Sequence, residues 1–283
     1  MFEIFQYQFM QNAILASILG GVSCSVIGVF VVTMEIPFLG VSMSHSAFAG
    51  AILGLLLGIN PFTMALLFCI LAGLLIGPIA DRADFNPDMA IGIIFSVMLG
   101  LAFLFLAMIP GPKTEALSLI WGSILTVTGQ DVFLMGVIAL AVIFFLILLF
   151  KEIQAVIFDR EIAASVGIPE RPIYYGILFF SGAIIAANLN TIGGLLIFSL
   201  VINPAAAAYQ LTYSLKKMFF LSGIFGVLSC FLGLFFSYLF NLPTGAVIII
   251  ASSLIFFLCL IFSPKKKVRK IHREEISGGD LIV

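Results

Sequence analysis

The chain has 283 residues, of which 62% are hydrophobic and only 10% charged, with 30 phenylalanines and a mean hydropathy of +1.26. An ordinary soluble domain carries about 25% charged residues, and 13 basic with 14 acidic side chains could not cover this much apolar surface in water. Soluble, disordered and collagen-like chains are excluded, and long continuous apolar runs, not short alternating segments, select membrane helices over a membrane barrel.

Residues 1–11 hold Glu3 and no lysine or arginine. They lack the basic start of a cleaved signal peptide, so the first helix is expected to be retained. A helix needs about 20 apolar residues to cross the hydrocarbon layer. Such runs fall at 12–34, 44–58, 61–80, 88–109, 131–150, 172–189, 193–210, 216–240 and 244–262. The second run is the shortest and predicts a short or broken element, of the kind found at transporter binding sites. Gly50, Gly54 and Gly58 recur on it at i, i+4 and i+8 and predict a close-packing face. Charged breaks stand at 81–88 (DRADFNPD), 151–171 and 210–217.

The expected fold is an all-α integral membrane bundle of eight or nine transmembrane helices over 1–263. A basic tail follows over 264–283, with Lys265, Lys266, Lys267, Arg269, Lys270 and Arg273. Such a cluster after the last span reads as a cytoplasmic flank, not as a nucleic-acid patch. With nine spans and the tail inside, Arg82, Lys151, Arg160, Arg171, Lys216, Lys217 and the tail share the cytoplasmic side, and only Lys113 lies outside. The N-terminus is therefore expected outside, in a multi-pass plasma-membrane protein.

Ionisable groups inside apolar runs cost about 2.5–3.5 kcal/mol each at a helix centre, so they mark function. His45 is the clear one, in SMSHSAFAG, with Ser42 on its face at i−3. Glu35 stands at the end of the first span, before Pro37, and joins the candidate pathway if 34–43 folds back. His45 is read either as a polar residue satisfied by a neighbouring helix carbonyl or as a pathway group, since a neutral imidazole suits a divalent transition metal in passing. Cys24, Cys69, Cys230 and Cys259 are scattered singly through apolar runs, without the paired spacing of a zinc site or disulfide framework. The GPKT segment at Gly111 lacks the glycines and the Gly-Lys pair of a phosphate loop. No nucleophile-and-base motif occurs, so a membrane enzyme is disfavoured. Scarce intramembrane carboxylates disfavour an ion-coupled carrier. The stretch Asp159–Gly167 reads as a short helix, with acids at its start and Gly167 as its stop. It suits docking into a partner's groove, and a plain connecting loop fits the same residues equally well.

Five segments carry a resemblance. They are DREIAASVG at 159–167, IGGLLIFSLVINPAAAAYQL at 192–211, DMAIGIIFS from Asp88, WGSILTV from Trp121 and NLPTGAVIII from Asn241. Together, over roughly 12–262, the chain resembles the permease subunits of zinc, manganese and iron ABC importers. The resemblance implies a type II importer-like permease, present as a homodimer. It also implies two cytoplasmic ATPase subunits that hold ATP and magnesium, and an external binding protein that delivers a divalent metal ion. No cofactor is implied on this chain, and no catalysis. Asp159, Arg160, Glu161, Ala163, Ala164 and Gly167 correspond to the segment that couples to the ATPase. Pro204, in NPAAAA, joins Gly50, Gly54 and Gly58 as a packing residue. The family's usual aspartate four residues before the histidine is Val41 here. That keeps a second reading open, in which the cargo is a chelated metal or a small organic solute.

Overall fold

Each apolar run becomes one long helix. The structure is a computed structural model and describes residues 7–83, 86–122 and 124–265. Among these are twelve α-helices: α1 (Gln8–Thr33), α2 (Phe38–Leu57), α3 (Pro61–Ala83), α4 (Pro87–Met108), α5 (Thr114–Trp121), α6 (Gly129–Leu148), α7 (Phe150–Phe158), α8 (Arg160–Ser165), α9 (Glu170–Ile192), α10 (Gly194–Leu211), α11 (Leu215–Phe240) and α12 (Thr244–Ile261). Eight are long and apolar enough to cross a membrane, and α10 adds a shorter apolar stretch, Ile197–Leu211. The basic tail falls outside the described residues from 266 onward.

Local chemistry sets the turns. The Asn60 side chain accepts from the backbone amides of Phe62 and Thr63 ahead of α3, and Asn86 accepts from Asp88 ahead of α4. Proline opens both helices, where its missing N–H costs nothing. Thr128 and Asp131 form a reciprocal capping box on α6. Each such cap is worth about 1 kcal/mol.

The second run corrects its expectation. It is neither short nor broken: α2 extends to Phe38 and has 20 residues, about 30 Å of helix. The polar start FLGVSMSHS hid its first turn from hydropathy. The break in the chain instead falls between α9 and α10, parted by Gly193 alone, with φ +93°.

The helix α1 lies at the centre, with Cys24, Ile27, Val29, Phe30 and Val31 buried. It packs against α10 and α11 and touches α6 and α9. Gly21 meets the backbone of Gly226, and Gly28 meets the Val201 carbonyl, so neither has room for a Cβ. Lipid supplies no hydrophobic drive between helices, and this close approach supplies dispersion contact instead. Buried hydroxyls must find partners in such an interior. Ser17, Ser44, Ser46 and Ser181 donate to carbonyls four residues earlier, while Ser222 on α11 donates to the Ser25 carbonyl on α1 at 2.9 Å. Asn203 donates to Ser252 and Ser253 of α12 at 3.0 Å each. The next residue, Pro204, is buried inside α10. It removes the helix hydrogen bond to the Leu200 carbonyl.

Long-range contacts sort the turns into two ends. Phe38 N donates to Asp88 Oδ1, Arg160 and Arg171 share a cleft with Arg82, Lys216 sits over the Phe150 ring, and Ser263 donates to Gln210. At the other end Trp121 and Gly122 share a cleft with Asn241 and Pro243. The long helices therefore alternate in direction.

Candidate metal pathway and docking helix

His45 sits seven residues into α2, half-buried, with its ring edge-on to Phe95 of α4 at 4.9 Å between centroids. Its Nδ1 lies 3.0 Å from the Val41 carbonyl oxygen. A carbonyl only accepts, so Nδ1 carries the proton and donates. The lone pair of the neutral ring is then on Nε2. A small cavity of about 110 Å³ adjoins the ring, lined by Ser44, His45, Phe48, Leu99, Phe103, Ile120 and Gly194. It brings together α2, α4, α5 and the start of α10.

Two expected neighbours of His45 lie elsewhere. Ser42 is fully buried and does not line the cavity; its Oγ has no hydrogen-bond partner, and Ser44 takes the place beside the histidine. Glu35 is exposed in the α1–α2 turn with φ +57°. The helix starts at Phe38, so 34–43 does not fold back. Roughly 10 Å of helix rise separates Phe38 from His45. Among the described residues no three His, Cys, Asp or Glu side chains gather to hold a metal ion.

The packing glycines divide. Gly50 stands against the backbone of Met64, and a Cβ on Gly54 would lie 2.9 Å from Pro61 Cα. Both serve the α2–α3 contact. Gly58 does not: nothing lies within 4 Å of its Cβ position, and it is the left-handed cap of α2 with φ +68°. Its job is to turn the chain.

The 151–171 segment folds as α7, α8 and the start of α9. Asp159 caps α8, accepting from the amides of Glu161 and Ile162 at 2.9 Å each. Gly167, at φ +83°, ends it, with Gly167 N donating to Ala164 O and Ile168 N to Ala163 O. Arg160 is turned inward. It donates from Nη2 and Nε to Glu170 Oε2 at 2.7 and 3.0 Å and stacks 4.0 Å over the Tyr174 ring. Ala163 is buried against its own chain, while Glu161 and Ala164 are exposed. The sequence reading missed three side chains here. Phe158, Ile162 and Val166 are 84%, 54% and 68% exposed and recur at i, i+4 and i+8. The extended Asp159 parts Phe158, at the end of α7, from Ile162 on α8 and Val166 at its end, so helical spacing in the sequence could not foretell their common exposure.

A second missed feature joins α5 to the α9–α10 break. The chain at Trp121–Gly122 crosses Gly193 so closely that a Cβ on Gly193 would lie 2.6 Å from the Trp121 carbonyl oxygen. Both glycines have positive φ, +61° and +93°, so both conformation and space require them. At the opposite end Lys265 lies over the rings of Tyr209 and Tyr213, at 3.5 and 4.7 Å.

Comparison with known proteins gives this arrangement a family. The model of the ABC 3 transport family matches residues 6–263. A manganese transport system membrane protein, MntC of Listeria innocua, is 32% identical over 273 residues, covering 96% of this chain and 97% of its own. The solved PsaBC of Streptococcus pneumoniae in complex with Fab superposes with a TM-score of 0.86 at 29% identity, covering 96% and 98% of the two chains. An inward-facing putative metal-chelate type ABC transporter shares the fold, with a TM-score of 0.71 at 16% identity over 92% and 88%. The chain is a multi-pass membrane permease and belongs to the ABC 3 transport family.

Proposed function

We propose that this chain forms the pathway of an ATP-driven importer for a divalent transition-metal ion, and that the ion is manganese. The observation that carries the proposal is His45: with its Nδ1 engaged by Val41 O, Nε2 is left to act as a ligand beside a cavity at the meeting of four helices. The manganese relative supports the choice of ion. One imidazole binds a divalent ion weakly, which suits passage and not storage. Two copies of the chain would supply two such rings, and the working unit is a homodimer. The permease itself performs no chemistry. ATP and magnesium belong to two cytoplasmic ATPase subunits, and an external binding protein delivers the ion.

The ATPase docks on α8. Phe158, Ile162 and Val166 offer it exposed apolar side chains on and around α8, beside exposed Glu161, while Arg160 locks the helix to α9. Docking there requires this end to face the cytoplasm, with the N-terminus outside the plasma membrane. Closure of the ATPases shifts the permease between outward- and inward-open states, and α8 conveys the bias.

The alternative cargo, a chelated metal or small organic solute, draws on one observation. Phe48, Leu99, Phe103 and Ile120 dominate the lining of the cavity, and Val41 puts no carboxylate there. Val41→Asp separates the two. A bare ion tolerates or prefers the added oxygen ligand. A chelate or neutral solute is blocked by a buried charge that costs several kcal/mol to desolvate. Manganese uptake retained in Val41→Asp supports the ion; uptake abolished with the protein folded contradicts it.

A further inference from the structure

A histidine ligand must be aimed, and little in its own side chain aims it. An imidazole swings about two torsions, the second of them soft, and its nitrogens move with it. One side of the His45 ring adjoins the cavity of about 110 Å³, which leaves room to swing. Among the described residues, two contacts oppose that motion. Nδ1 lies 3.0 Å from the Val41 carbonyl oxygen, one turn earlier on α2. The Phe95 ring of α4 meets the imidazole at 4.9 Å between centroids and 89° between planes. The hydrogen bond exists in one ring orientation only, and Phe95 is the contact that comes from another helix.

Phe95 belongs to a wall. With Leu99 and Phe103 it follows at four-residue steps, so the three share one face of α4. Leu99 and Phe103 line the cavity, and Phe95, one turn earlier, meets the ring itself.

The position of a proton is at stake. In water a neutral imidazole carries its proton mainly on Nε2. A carbonyl only accepts, so the bond to Val41 O places a proton on Nδ1 and leaves Nε2 bare when the ring is neutral. A ring that swings off Val41 O returns its proton to Nε2 and loses the ligand atom. An aromatic edge contact holds a geometry without taking up either nitrogen. A polar neighbour in the same place would compete for Nε2.

We infer that Phe95 is a positioning residue of the pathway: it holds the His45 ring on the Val41 carbonyl and so keeps Nε2 available to the ion. The inference rests on the reading of His45 as a ligand, and its first test needs no ion.

That test uses the full chain in lipid bilayers, isotope-labelled at its histidine nitrogens only. Solid-state NMR reads it at mildly alkaline pH, where an imidazole is ordinarily neutral. The chain has two histidines, and His272→Ala leaves the His45 signal alone. The expected result is a proton on Nδ1 and a bare Nε2. In Phe95→Leu the ratio of that form to the Nε2-protonated form should fall by roughly two- to tenfold. Phe95→Tyr, which keeps the ring, should restore it. A lower thermal midpoint in Phe95→Leu with the ratio unchanged would make Phe95 mere packing and overturn the inference. So would a proton on Nε2 in the unaltered chain. If Phe95→Leu does not fold, Phe95→Met, whose flexible chain fills irregular gaps, takes its place. Manganese titrated into the same samples should broaden the His45 signal at several-fold lower concentration in the unaltered chain than in Phe95→Leu. Broadening at equal concentrations would overturn the inference. No broadening in either, with the shift in proton position intact, strikes only the reading of His45 as a ligand.

Discussion

Chemistry in this bundle comes down to very few side chains, and each is held by backbone. The Val41 carbonyl accepts from His45 Nδ1, so the backbone of an apolar residue orients the ring. That ring was legible in the sequence, because an ionisable group in an apolar run is conspicuous. Its neighbours were not. Helical spacing put Ser42 on its face, yet packing buried Ser42 and set Ser44 beside the cavity. Periodicity within one helix says nothing about which neighbouring helix covers a face. His45→Ala is expected to leave expression and ATPase binding unchanged while manganese uptake falls by roughly tenfold or more. Radioactive manganese uptake in proteoliposomes reads this, and full uptake would remove His45 from the pathway. Two glycines give a second test at this scale. Gly58→Ala and Gly193→Ala both place a Cβ at positive φ, costing about 1 kcal/mol. Only Gly193 also meets backbone, at Trp121, adding about 1–3 kcal/mol. Thermal unfolding in detergent should therefore show a distinctly larger fall in midpoint for Gly193→Ala. Equal falls would contradict the close crossing.

Among the elements, α8 was read most fully in advance and α2 least. Capping signals at Asp159 and Gly167 are local, so the sequence announced both ends of α8, and the structure has both. The start of α2 was missed because hydropathy averages serines with their neighbours, while the helix needs only backbone bonds and a proline at its edge. Burial decided the rest of α8: Ala163 turned inward, and Ile162 turned out. Ile162→Asp should weaken co-purification of the ATPase by about tenfold or more, as loss of a buried apolar anchor does. Glu161→Lys, which reverses a charge favoured at a helix start, should also weaken it, by less. Neither change should alter the thermal stability of the isolated permease. Normal binding and normal transport-linked hydrolysis in both variants would exclude α8 as the docking element.

Across the whole molecule, the nine apolar runs gave nine helices because hydrocarbon leaves the backbone no alternative. Their alternation follows from contacts such as Phe38 with Asp88 and Ser263 with Gln210. What hydropathy could not carry is the crossing of Trp121–Gly122 over Gly193, since two backbones meeting leave no mark beyond two glycines. The proposed orientation predicts that an external thiol reagent labels a cysteine placed at Lys113 and not one placed at Arg160 or Lys217. The four native cysteines are buried and add little background. External labelling at Arg160 would reverse the orientation and remove α8 from the ATPase.

The importer proposal itself is tested most directly by reconstituting the permease with its ATPase and binding protein in lipid, then measuring manganese uptake and ATP hydrolysis together. Uptake should require ATP inside, should stimulate hydrolysis only when manganese and the binding protein are both present, and should fall in His45→Ala. Uptake driven by an ion gradient without ATP, or hydrolysis stimulated by an organic solute and not by manganese, would contradict it.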